Sequence, residues 1–184
     1  MTPSLAPSAW VQRWSHLVPA GARVLDVACG SGRHVRWFAQ RGGVVTGVDR
    51  DVMATQALHD IAEIIDADIE AGPWPLAGRQ FDAVVVTNYL WRPHLADVIA
   101  CVAPRGVLIY ETFAVGNETV GKPSNPNFLL RPGELLQAAA DLRVVAYEDG
   151  FEREPERFVQ RIVAVREDAG LPEPARLDLT PPGR

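Results

Sequence analysis

A mostly apolar run, VLDVA at 24–28, breaks directly into CGSG and then into the helical pattern RHVRWFAQR. Such a short, mostly apolar segment reads as an interior strand of a parallel sheet, covered on both faces. Gly30 and Gly32 form G-x-G immediately after it. Glycines there allow a tight turn and let the backbone approach a ligand. The helix that follows aims its free N–H groups at the same place, which favours an anionic group. Such a strand needs a neighbour on each edge and a layer on each face, so this stretch constrains the rest of the chain.

The rest supplies the neighbours. VVTGVD (44–49), IAEIID (61–66), FDAVVVTN (81–88) and VLIYETF (107–113) read as further strands. A short helix fits 51–58, and Pro93 opens another whose apolar face is Leu95, Val98, Ile99 and Val102. Ahead of the first strand, Ser8 caps a helix carrying Trp10, Trp14, Leu17 and Val18 at one-face spacing, ended by Pro19. Alternation of this kind gives an α/β class with a mostly parallel sheet. After Phe113 the rhythm breaks. The segment 114–131 is rich in Gly, Pro, Asn and Ser and reads as a long loop, functional or disordered. A helix over 132–140 precedes LRVVAYED and FVQRIVAVRE, whose connection is too short for a helical crossover and so implies an antiparallel pair. One domain over 1–167 is expected, with residues 1–7 loose and a Pro-rich, poorly ordered tail over 168–184.

Hydrophobic residues at 47% and charged residues at 22% are an ordinary soluble composition. A net charge of −5 argues against non-specific affinity for nucleic acid. Cys29 and Cys101 are too few for a disulfide framework or a metal site, and both are expected to be reduced and packed. The amino end lacks a basic segment followed by an apolar run, and no apolar run suits a membrane span, so the default location is cytoplasmic.

The glycine turn leaves the cofactor to be decided. A dinucleotide site wants a third small residue where Val35 stands, and a phosphate-binding loop wants a Gly-Lys-Ser/Thr that does not follow. Asp49 ends the second strand, where an acid accepts from both ribose hydroxyls.

At these residues the chain resembles the class I S-adenosylmethionine-dependent methyltransferases. VLDVACGSGRH is similar to their first motif, GVDRD to the second and DADIE to the third; FDAVVVTNYL and APRGVLIYETF are similar to their fourth and fifth strands. The resemblance runs over about 10–166, and the turn and long loop look nearest to the small tellurite-resistance-type enzymes. It implies a Rossmann-like seven-stranded sheet of order 3-2-1-4-5-7-6, with strand 7 antiparallel and helices on both faces.

It also implies roles. Gly30 and Gly32 would lie against the methionine part of the cofactor, with Ala28 beside them, and Asp26 would help hold its ammonium, directly or through water, or cap the turn that follows. Arg33 would pair with the carboxylate, or make a surface salt bridge. Asp49 would take the ribose diol, or cap the next helix. Arg50 would lie along the adenine edge, or be solvated. Asp68 and Ile69 would flank adenine, with Asp66 as a competitor to Asp68. Asn88 would border the methyl group, with Tyr89 and Trp91 as an aromatic wall, Trp91 being equally readable as core packing. Glu111 would orient the acceptor or act as general base, and Tyr89 would share the catalytic position; Glu111 is equally readable as a structural carboxylate. His34 is a pocket wall or a packed histidine, His16 and His59 are solvated, and Cys29 has no assigned reactivity. Within the 114–131 loop, which has Phe113, Asn117, Asn125, Asn127 and Phe128 on or beside it, GNETVGKPSNPNF (116–128) reads as a lid over the acceptor site, or as a surface excursion with no catalytic role. The chain has TNYL where many amino-group methylases of DNA and protein carry Asn/Asp-Pro-Pro-Tyr/Phe.

The implied activity is methyl transfer from S-adenosylmethionine to a small molecule, with no metal, no membrane and nucleic acid an unlikely partner. An RNA or protein methyltransferase is the alternative and calls for a basic surface. A non-catalytic cofactor-binding protein and, more remotely, a nicotinamide-dependent oxidoreductase stay open, as does the oligomeric state.

Overall fold

The computed structural model describes residues 6–170, 173 and 175–181. Most of the segment expected to be loose at the amino end, and part of the expected tail, lie outside these residues. Seven strands form one sheet of order β3-β2-β1-β4-β5-β7-β6. They are β1 (Arg23–Val27), β2 (Val44–Asp49), β3 (Glu63–Asp66), β4 (Phe81–Thr87), β5 (Val102–Phe113), β6 (Arg143–Arg153) and β7 (Glu156–Val165). The first five pair in parallel, and β7 is antiparallel to both β5 and β6. The sheet is the one the resemblance implied.

Alternate residues of the interior strands feed two cores. Leu25, Val27, Val84, Val86, Leu108, Tyr110 and Ile162 face one side, where α4 (Leu95–Ala100) and α5 (Glu134–Ala138) pack. Val24, Val85, Val107, Ile109 and Val163 face the other, against α1 (Ala9–Trp14) and α2 (Arg33–Gln40). Asp26, Thr87 and Glu111 lie on this second face by the same alternation, beyond the apolar residues at the carboxyl ends of β1, β4 and β5. The order of strands reverses between β1 and β4, so the crevice there is where an open α/β sheet binds ligands.

Several boundaries differ from expectation for physical reasons. The amino-terminal helix ends at Trp14 and continues as a 3₁₀ turn over Ser15–Leu17. The third strand starts at Glu63, because Ile61 donates its N–H to the Leu58 carbonyl and remains exposed. The helix expected over 51–58 is α3 (Val52–Thr55) followed by a 3₁₀ turn. Val102 is the first residue of β5 and not part of the preceding helical face; the β4–β5 register shifts between Phe81 and Ala83. The strand β6 runs four residues past its expected end, β7 lies two residues earlier than expected, and the two meet in a tight hairpin turn at Glu154 and Pro155.

The 114–131 segment is not structureless. It carries 3₁₀ turns at Asn117–Thr119 and Pro126–Phe128, an isolated parallel bridge from Ala114 to Leu130, and fully buried Leu129 and Leu130. The buried Asn117 side chain accepts from the Phe158 N–H and donates to the Pro123 carbonyl. Arg92 clamps the far end through the Asn127 and Leu129 carbonyls and Glu134. In the tail, Leu177 packs on the second core and the Asp178 carbonyl lies 2.9 Å from His16 Nε2. His16 is therefore half-buried and hydrogen-bonded, not simply solvated. Among the described residues, no helix is long and apolar enough to cross a membrane.

Candidate functional site

The β1 turn is built by backbone geometry. Ala28, Gly30 and Gly32 all have positive φ, at 54°, 53° and 77°. At Gly30 an added Cβ would meet nothing within 4 Å, so that face of the turn is open. At Gly32 it would overlap the buried Leu58 side chain, so this glycine makes a close packing contact between α2 and the segment after β2. The sequence reading gave both glycines to the cofactor; the structure leaves the open face to Gly30.

Asp49 ties the turn to the next strand. Its Oδ2 accepts from the Gly30 N–H at 2.7 Å and its Oδ1 from the Asp51 N–H at 2.9 Å. An ionised carboxylate has about four lone-pair positions, so two stay available for hydroxyl donors. Beside it lies a cavity of about 190 Å³ lined by Ala28, Asp49, Arg50, Ala67, Asp68, Ile69, Glu70 and Tyr89. Asp68, not Asp66, reaches this cavity; Asp66 accepts from the Thr55 hydroxyl. Asp68 Oδ1 accepts from the Glu70 and Ala71 N–H groups at 2.9 and 3.2 Å, which holds the carboxylate in place at the end of β3. Arg50 is not free in solvent: its Nη1 lies 3.6 Å from both Asp68 Oδ2 and Glu70 Oε2. The Tyr89 hydroxyl is buried with no hydrogen-bond partner among the described residues, and burial, then the charge of Glu70, pushes its pKa up.

On the α1 and α2 side, Asp26 is buried and its Oδ2 has no hydrogen-bond partner among the described residues. Burial raises its pKa to about 7, against the pull of the Arg33 guanidinium. Arg33 reaches across the strand ends and donates to Thr87 Oγ1 at 3.2 Å. His34 is buried, and burial with Arg33 nearby lowers its pKa to about 3, so it is neutral at ordinary pH. Its Nε2 accepts from the Ser8 N–H at 3.1 Å, and its Nδ1 lies 4.0 Å from Asp26 Oδ1. His34 is thus a packed histidine joining the amino-terminal helix to the glycine turn. Burial and the charges of Asp26 and Asp49 raise the Cys29 thiol, consistent with an inert packed cysteine.

Glu111 does not suit the role of general base. It is 1% exposed, Oε1 accepts from the Ser8 hydroxyl at 2.8 Å, and Oε2 is held by Arg161 with Arg157 behind it. With both oxygens engaged, this carboxylate is not free to take a proton from an acceptor; it holds α1 to β5 and β7. Ser8, read from sequence only as a helix cap, both caps α1 and bridges His34 to Glu111. Asn88 sits at the end of β4 with φ 55° and exposed, outside the lining of the cavity. Trp91 is half-buried, and the 114–131 loop contributes nothing to the cavity wall. Glu70 and Ala67 line the cavity without having been singled out in the sequence; the acid two places after Asp68 was the available signal. Among the described residues, no cluster of three or more His, Cys, Asp or Glu side chains is arranged to hold a metal.

Residues 24–106 match the family described as methyltransferase domain. A tRNA U34 carboxymethyltransferase of Methylococcus capsulatus is 30% identical over 117 residues, 54% of this chain and 34% of that protein. A ubiquinone biosynthesis O-methyltransferase of Burkholderia multivorans is 32% identical over 115 residues, 56% of this chain and 49% of that protein. The chain thus spans between a third and a half of the length of these curated relatives. In fold it is similar to TehB of Haemophilus influenzae, with a TM-score of 0.66 at 18% identity, covering 83% of this chain and 60% of that one.

Proposed function

We propose that this chain, a class I S-adenosylmethionine-dependent methyltransferase by its domain and fold, transfers a methyl group to a small-molecule acceptor. The observation that carries the cofactor assignment is the carboxylate bridge from Asp49 to the Gly30 N–H at the edge of the cavity. The residues fit the group: an open backbone face at Gly30, a base-sized cavity ending at Asp68 and Ile69, and an unpartnered buried carboxylate oxygen on Asp26.

The cofactor supplies a sulfonium leaving group, so transfer is an in-line displacement in which alignment and exclusion of water contribute most. In this reading Asp49 holds the ribose, Asp68 and Ile69 the adenine, Arg33 the carboxylate and Asp26 the ammonium. Asn88 and Tyr89, following β4, border the reacting methyl, and the 114–131 segment closes over the acceptor. No base is assigned. The net charge of −5 supports a small acceptor over a polyanion, whose binding calls for an excess of Lys and Arg. RNA as acceptor is the second reading; the tRNA-modifying relatives favour it and temper the expectation that nucleic acid is an unlikely partner. Tritiated methyl transfer into separated RNA, protein and metabolite fractions distinguishes the two: label in metabolites is expected, and label confined to RNA overturns the small-molecule reading.

Asp26 gives a pH test that needs no turnover. Its pKa near 7 means that it holds a proton below that pH. A ligand ammonium favours the carboxylate, draws the pKa down and expels the proton, so affinity rises with pH until about 7 and then levels. Affinity for S-adenosylhomocysteine is expected to rise about five- to tenfold between pH 6 and 7.5. Calorimetry in buffers of different ionisation enthalpy reads the released proton directly. Asp26→Asn should abolish both effects.

A further inference from the structure

Arg50 stands on the one oxygen that a base would need. Asp68 commits Oδ1 to two backbone N–H groups. Oδ2 is left for a ligand, and Arg50 Nη1 lies 3.6 Å from it. The same nitrogen is 3.6 Å from Glu70 Oε2, which also lines the cavity. Such pairs contribute little in the open protein, because the Arg50 and Asp68 side chains are 62% and 42% exposed. Covering them with a flat base removes water and strengthens whichever pairs remain.

We propose that Glu70 is a positioning residue that takes Arg50 off Asp68 when a 6-amino purine enters. Asp68 Oδ2 then accepts from the exocyclic amine, and Arg50, held by Glu70 alone, lies across the base. Without Glu70 the guanidinium keeps its pairing with Asp68 and competes with the amine. The inference rests on the adenosyl reading of the cavity and adds to it a residue between the two sites of charge.

The test is a double-mutant cycle on the full chain, with Glu70→Gln and Arg50→Ala, read by calorimetric binding of S-adenosylhomocysteine. Glu70→Gln is expected to raise Kd about fivefold in the parent and to have no effect in the Arg50→Ala background. The 6-oxo analogue S-inosylhomocysteine, which offers no amine to Asp68, should bind parent and Glu70→Gln alike. The melting temperature of each variant without ligand should stay that of the parent, which separates positioning from a folding defect. Equal effects of Glu70→Gln in both backgrounds, no effect in the parent, or an equal loss with the 6-oxo analogue overturns the proposal while leaving the adenosyl reading intact. Failure of the parent to bind S-adenosylhomocysteine overturns both.

Discussion

Asp49→Ala is expected to weaken S-adenosylhomocysteine binding by about a hundredfold or more, equivalent to about 3 kcal/mol. The carboxylate makes charge-assisted bonds to the Gly30 and Asp51 N–H groups, and in the proposed complex it also accepts from the ribose. Bonds to a charged group each contribute about 1.5–3 kcal/mol. Alanine removes the ligand contact and frees the turn that presents Gly30, so the two losses compound. Asp49→Asn keeps one acceptor oxygen and turns an amide N–H toward a backbone donor or a hydroxyl. It should fall between, at about tenfold. Calorimetry with the parent as reference measures both. An alanine variant that binds within about threefold of the parent removes Asp49 from the site.

Gly32→Ala is expected to lower the melting temperature by roughly 5–15 °C, from a loss of about 2–4 kcal/mol. Two costs add. The backbone there has φ 77°, where a Cβ is strained. The new methyl also enters the space of Leu58, which is fully buried and has nowhere to retreat. The double variant Gly32→Ala with Leu58→Ala should cost less than the sum of the single changes, because the added methyl occupies part of the vacated volume. Strict additivity in differential scanning calorimetry would mean that the steric account is wrong. The corresponding change at Gly30 meets no atom and should carry the backbone cost alone.

These glycines show how far a sequence can be read. That both belong to a turn after a buried strand follows from local pattern. That Gly32 packs against Leu58 does not, because the contact depends on how the segment after β2 folds back. The strands were legible where apolar runs are continuous, as in β4 and β7. They were less so where a solvent-facing hydrophobe imitates a core position, as Ile61 does, or where a strand begins inside what reads as a helical face, as at Val102. The site followed the same rule. Asp49 and Asp68 were identifiable because each stands in a motif next to its own strand end. Glu111 looked catalytic because its position at the end of β5 was legible and its partners were not. Ser8 and Arg161 reach it from the two extremes of the chain, and only together do they turn a candidate base into a tether.

The placement of β7 has a consequence for synthesis. It follows β6 in the chain, yet it fills the gap between β5 and β6, pairing Val107 with Val165 and Tyr147 with Ile162. A nascent chain stopped before Glu156 leaves one border of β5 bare, with β6 unable to join the sheet. Its unpaired N–H and C=O groups invite pairing with a neighbouring chain. The strands β1, β2, β3 and β4 can assemble as they leave the ribosome, but the sheet is sealed only once β7 has emerged. Interrupted translation products therefore belong to the aggregation-prone species of this fold.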